Sequence, residues 1–230
     1  EGILDIDEMF VDLGPKGSVM LPAPINHRMP LASLRVKGRY KGNIQRLEIN
    51  NLDLDLQGPS ATLNVVANGF SGVANLGRDN ISVDLKGSLR DVPFDQLARY
   101  WPSALNADAH RWSTGHLSDG MIHLARAEVG LWMDGKVLEV VSVDGDMEVS
   151  GVSIDYLAPM PPVRETTAYM KFDKENFNVY ISSGKSESLK VSEAEVLISG
   201  LDEYDQIANI KVAIDGTFPD KLAYLDHKPL

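Results

Sequence analysis

Three pairs of aspartates stand two residues apart: Asp5 and Asp7, Asp53 and Asp55, Asp144 and Asp146. On an extended strand that spacing puts both carboxylates of a pair on one face of a sheet. Paired carboxylates are the equipment of glycoside hydrolysis, one acting as acid and the other as nucleophile or base. The same spacing also arises wherever a solvated polar face alternates with an apolar one, and that reading accounts for all three pairs. His110, His116 and His123 are the one histidine cluster. Zinc needs three or four converging ligands, commonly at i and i+4 on a helix. His110 and His116 are six apart, which puts them on different helix faces, so no metal site is expected. Trp101 and Trp112 could stack on a sugar or rest at a lipid interface; the preferred reading is that they fasten helices to a sheet, with Trp112 buried. There is no Gly-x-Ser-x-Gly elbow and no phosphate-binding loop. With no cysteine, thiolate chemistry and disulfides are excluded. No catalytic residue, metal ligand or cofactor site is assigned, and the chain reads as a non-enzyme.

The elements around these residues are mostly strands. The segment Leu34-Arg35-Val36-Lys37-Gly38-Arg39-Tyr40 alternates apolar and polar, as do Leu63, Val65 and Ala67, and Ile81, Val83 and Leu85. In the second half Val141 and Val143 share a phase, then Met147 and Val149, Val152, Ile154 and Tyr156, and Ile210, Val212 and Ile214. A period of two marks half-buried strands. Leu47 and Ile49 have the opposite parity to Leu52, Leu54 and Leu56, which predicts a bulge near Asn50-Asn51. Helices are expected over 93–101, with Phe94, Leu97, Ala98 and Trp101 on one face; over 106–117, with an Asn106 cap and Ala109, Trp112 and His116 on one stripe; and over 219–226, with Leu222, Ala223 and Leu225 inward.

The chain also resembles itself. Ile81-Ser82-Val83-Asp84-Leu85-Lys86-Gly87-Ser88-Leu89 matches Ile210-Lys211-Val212-Ala213-Ile214-Asp215-Gly216-Thr217-Phe218 in pattern, and each is followed by a proline and a helical segment. The expected organisation is two modules, residues 1–118 and 119–230, sharing one continuous sheet. The abrupt start and end suggest a piece of a longer protein. The 230 residues carry 22 basic and 33 acidic side chains, a net charge of −11. That balance opposes nucleic acid, whose phosphates need a basic stripe, and opposes docking on anionic lipid. No run of 18 apolar residues is present to span a membrane as a helix.

Around the helical segments the sequence resembles a known family. Phe94-x-x-Leu97-x-x-Tyr100-Trp101-Pro102-x-x-Leu105 is followed by Ala109-x-Arg111-Trp112-x-x-x-His116-Leu117-x-x-Gly120-x-Ile122. Together with Tyr156, Pro161-Pro162-Val163, Ser183-Gly184 and Leu222-x-x-Leu225-Asp226-x-x-Pro229-Leu230, this is similar to the AsmA-like superfamily, in the branch containing YhdP and TamB. The resemblance covers roughly residues 94–230. It implies the periplasmic part of an inner-membrane-anchored Gram-negative envelope protein. It further implies a long curved β-sheet with an apolar groove for phospholipid transport towards the outer membrane, with envelope proteins as partners at the ends of the full-length chain. The family carries no catalytic motif.

The expected fold is therefore mainly β: a long, curved, largely antiparallel, groove-like sheet with two or three short helices. Its expected ligand is a phospholipid or other acyl-chain lipid. The residues expected to line the groove are Val141, Val143, Met147, Val149, Ile210, Val212 and Ile214. Two rival readings remain: a ligand-free structural scaffold built as a closed sandwich, and a glycan hydrolase using an acid pair beside the tryptophans.

Overall fold

A computed structural model of the chain describes residues 3–21, 25–71, 80–104, 107–134, 137–156, 158–201, 203 and 205–227, without the side chains of 107–109. In chain order the strands are β1 (Ile3–Asp12), β2 (Ser18–Leu21), β3 (His27–Pro30), β4 (Ser33–Lys41), β5 (Arg46–Asp55), β6 (Ser60–Asn68) and β7 (Asn80–Pro93). They continue with β8 (Leu117–Ser118), β9 (Met121–Asp134), β10 (Val137–Ile154), β11 (Val163–Asp173), β12 (Asn176–Ser186), β13 (Leu189–Ser199) and β14 (Ile207–Asp215). The helices are α1 (Leu97–Tyr100), entered through a 3-10 turn at Phe94–Gln96, α2 (Ala107–His116) and α3 (Phe218–Leu225). The expected Asn106 cap, the Leu105 position and the Ala109 side chain lie outside the described residues.

Among the described residues eleven strands form one open sheet in the order β1-β4-β5-β6-β7-β9-β10-β11-β12-β13-β14, with β8 paired onto β10 and a separate β2–β3 hairpin. Every pairing is antiparallel. The sheet passes without interruption from β7 to β9, across residue 118.

Alternation fixes which face is which, because a one-residue slip would turn a strand's apolar set outward. Where the chain has an extra residue, a bulge restores the phase. The shift in β5 between Ile49 and Leu52 absorbs the parity change, as expected. At β10 the expectation fails: Val140 pairs with Leu131 and Ser142 with Gly130, so Val141 is the extra residue of a bulge. Val143 keeps phase with Val140, and Val141 does not share it.

A flat open sheet with two short helical caps would leave its apolar face wet. Yet one connected core runs from Leu54 on β5 to Ala194 on β13, and Val179 and Ile181 on β12 are buried. The sheet therefore bends around its own apolar face, helped by bulges in β1, β5, β10, β12 and β13. Bulk is removed where the bend needs room. A Cβ at Gly145 would collide with the Phe172 ring and come within 2.6 Å of the Arg126 carbonyl.

The helical insert closes one end of the bend. Phe94, Leu97 and Tyr100 are buried, and the Tyr100 hydroxyl donates to the Leu56 carbonyl at 3.4 Å. Trp101 packs at the margin of this core. Trp112 departs from its expected place: it is 39% exposed and stacks on His116, with ring centroids 5.3 Å apart. Its i, i+4 partner is a histidine and not another apolar residue, so the helix has no stripe to bury. The inward residues expected for α3 are also corrected. Leu222, Ala223 and Leu225 face solvent, and Tyr224 turns in to share a 2.6 Å hydrogen bond with the Tyr156 hydroxyl.

Candidate functional site

The register aligns apolar side chains into rows that cross the whole sheet. One row reads Val11, Leu34, Leu54, Ala61, Leu89, Ala125, Met147, Met170, Val179, Val196 and Ile210, one residue from each strand. The next reads Met9, Val36, Leu52, Leu63, Gly87, Ala127, Gly145, Phe172, Phe177, Ile198 and Ala208. No charged or polar side chain interrupts either. With neighbouring strands about 4.8 Å apart, eleven strands carry each row roughly 48 Å.

Burial along this face is uneven. At one end Val92, Ile122, Val149 and Val152 are sealed beneath the helical insert. At the other, Ala67, Ile81 and Met133 form a second small core with Phe70 against it. Between them the row Ile49, Val65, Leu85, Val129 and Val143 is only half-buried. The face is thus closed at two ends and partly open in the middle and at the edge strands.

The seven expected groove residues fall into distinct places. Val143 and Met147 lie on the apolar face in the rows just described, Val143 half-buried in the open band. Val149 is 2% exposed, inside the sealed end and out of reach of a ligand. Val141 belongs to the bulge and is exposed. Ile210, Val212 and Ile214 share the apolar face of the edge strand β14; Ile214 packs on the core, and Ile210 and Val212 are more than half exposed. The lining the list missed is Val65, Leu85, Val129, Phe172 and Phe177. Their period of two was visible, but which strands stand side by side was not.

The opposite face is a lattice of charge pairs between strands. Arg39 donates to Asp5 at 2.5 Å, Arg126 to Asp146 at 2.6 Å, and Lys185 to Glu165 at 2.5 Å; Lys86 pairs with Glu128. Asp146 raises the Arg126 pKa through this hydrogen bond and its charge. Two shallow depressions occur on this charged side, one lined by Asp5, Asp7, Lys37, Arg39 and Glu48 and the other by Phe10, Arg35, Asp53 and Asp55.

One aspartate of each pair is held by a neighbouring side chain, Asp146 by Arg126 as above. Asp5 is neutralised by Arg39, and Asp53 accepts from Asn51 and Thr62. Carboxylates with displaced pKa values are displaced downward: Glu48 by its bond from Arg46, Asp173 by the backbone N–H groups of Glu175 and Asn176, and Asp220 by the hydroxyls of Thr217 and Ser188. A general acid needs the opposite shift. The histidines are dispersed: His110 against Trp101, His116 beneath Trp112, and His123 bonded to Ser150. Among the described residues no three His, Asp or Glu side chains converge as a metal site, and no helix is long and apolar enough to cross a membrane.

Comparison with protein-family models, curated proteins and solved structures finds no match to the chain.

Proposed function

We propose that the chain is a non-enzymatic segment of a cell-envelope protein that shields lipid acyl chains in its bent β-sheet during phospholipid transport between membranes. The observation that carries this reading is the uncharged apolar face continuous across eleven strands, half-open along its middle band. Measured along the bend, its roughly 48 Å exceeds the ~30 Å hydrocarbon core of an entire bilayer. A single lipid tail, confined to one leaflet, fills only part of it. Each methylene moved from water onto the face gains about 0.8 kcal/mol without any directional bond, so a tail is held but free to slide. The charge lattice on the convex side keeps the segment hydrated. In this reading the chain works in the periplasm as part of an inner-membrane-anchored protein, with envelope proteins as partners at its ends.

The scaffold reading is favoured by one observation, the sealed end around Val149 and Val152. Photo-crosslinking separates the two. A crosslinker at Val65, Leu85 or Val143 should capture lipid, while one at Val149 should not. Val143→Asp should abolish capture at neighbouring sites with the fold retained, because an unpaired charge is strongly disfavoured on an apolar surface. Mass spectrometry of organic extracts should detect co-purified phospholipid. If extracts are lipid-free and mid-band crosslinkers capture nothing, the scaffold reading stands.

A further inference from the structure

An open sheet has two edges, each with a row of unpaired backbone N–H and C=O groups that another strand could use. Among the described residues they belong to β1 and β14, and only one is protected. β1 carries Asp5, Asp7, Glu8 and Asp12 and is bulged between Ile6 and Met9, both devices that discourage pairing. Both edges expose inward apolar side chains, Leu4 and Met9 on β1 at 58% and 45%, and Ile210 and Val212 on β14 at 58% and 53%, but β14 carries only Lys211 and Asp215 and has no bulge of its own. From this difference we infer that β14 is a self-association edge: two copies of the chain pair β14 with β14 about a twofold axis normal to the sheet.

Strand direction selects this arrangement. All eleven strands alternate in direction, so the first and the last run parallel. Joining β14 of one copy to β1 of the next would insert a parallel pair into an antiparallel sheet and bring up the acidic edge. Pairing β14 with its own symmetry mate is antiparallel and keeps both apolar faces on the same side.

Charge and ladder length together select the register. Inward residues must face inward residues, which limits the choices to steps of two. Centring on Lys211 would set two lysines opposite each other, and centring on Ala213 would set Lys211 opposite Asp215 but pair only residues 211–215 and leave Ile210 without an apolar partner. Centring on Val212 sets Val212 against Val212 and Ile210 against Ile214 on the apolar face. On the outer face it places Lys211 opposite Ala213 and diagonal to Asp215, and Asn209 opposite Asp215. The apolar rows of the two copies then join across the axis. This inference stands independently of the lipid reading.

The chain has no cysteine, which makes the test clean. In the Val212→Cys variant the paired Cα atoms would lie about 4.5 or 5.5 Å apart, within disulfide range. Oxidation should yield a covalent dimer and no larger ladder, while Met9→Cys on β1 should remain monomeric. Sedimentation velocity of the unmodified chain should show a monomer–dimer equilibrium. The double variant Ile210→Lys, Val212→Lys should weaken it by at least about tenfold, roughly 1.4 kcal/mol, with an unchanged unfolding midpoint as the check on folding. A chain that sediments as a monomer at every concentration, a Val212→Cys that crosslinks no faster than Met9→Cys, or a ladder from the Met9→Cys, Val212→Cys double variant would each overturn the proposal.

Discussion

Residues 81–100 and 210–225 share a pattern: a strand with apolar residues at alternate positions, a glycine, a proline and a helix. The fold gives them opposite environments. β7 lies between β6 and β9, and Ile81 is fully buried; among the described residues β14 has β13 on one side only, and Ile210 is 58% exposed. The helices that follow diverge in the same way. Phe94 and Leu97 enter the core, whereas Phe218 is 73% and Leu222 51% exposed. The two helices are therefore held by different forces. The helical entry at Phe94 has Pro93 before it and no side-chain cap, and relies on tertiary burial. Helix α3 relies on polar bonds: a local capping box between Thr217 and Asp220, and the long-range Tyr156–Tyr224 and His227–Glu187 contacts. A repeated pattern thus specifies a local element, and the neighbours on each side decide what stabilises it.

The sharpest way to break this comparison is to truncate the corresponding aromatics. Phe94→Ala should cost about 3–5 kcal/mol, as for a buried aromatic, and Phe218→Ala should stay within about 0.5 kcal/mol, as for a surface change. Urea unfolding of both variants measures the gap; equal losses would show that the helices are equivalent.

The paired glycines give a smaller difference. A Cβ at Gly87 would meet the Leu63 side chain and, at 2.7 Å, the Thr62 carbonyl, which cannot yield without breaking the ladder. At Gly216 the obstacle is a side-chain tip, that of the buried Leu189, 2.5 Å away. Gly87→Ala is expected to cost about 2–3 kcal/mol and Gly216→Ala about 1 kcal/mol, the two ends of the overpacking range, because a side-chain tip can shift where a ladder carbonyl cannot. Within the helical insert, Trp112→Ala should cost about 1 kcal/mol, the worth of a stacked exposed pair. Tyr100→Ala should cost about 3 kcal/mol or more, as for a buried aromatic; thermal melts of the two variants give the order.

The smallest effects concern α3 and are read as hydrogen exchange over 218–225. Thr217→Ala should lower protection by about 1 kcal/mol, the usual worth of a cap. Asp220 has a folded pKa below its unfolded value, so its contribution is complete above about pH 3.9. That contribution is lost as pH falls through the lowered folded value, and Asp220→Asn should remove this acid dependence. Tyr156 is shifted the other way: burial and then its bond with Tyr224 raise its pKa. Its contribution is complete below about pH 10 and is lost as pH rises towards the raised folded value. Tyr156→Phe should abolish that alkaline opening.

The strands and the three helices were legible because periods of two and 3.6 are local properties of the chain. The phase slip at Asn50–Asn51 was legible for the same reason. Val141 was not, since two valines two apart read as one phase unless the partner strand shows that a residue has been inserted. Trp112 and Leu222 were misplaced because a large apolar residue on a short helix is buried only if a surface is there to receive it. The open band of Val65, Leu85, Val129 and Val143 combines residues from four strands.

What the sequence determined by itself is a mainly β chain with one apolar and one charged face. Alternation within each strand is enough to dictate that. What only the tertiary structure decided is which strands are central, which are edges, and where the apolar face is sealed or open. Burial is a property of neighbours on both sides of a strand, and those neighbours come from distant parts of the chain.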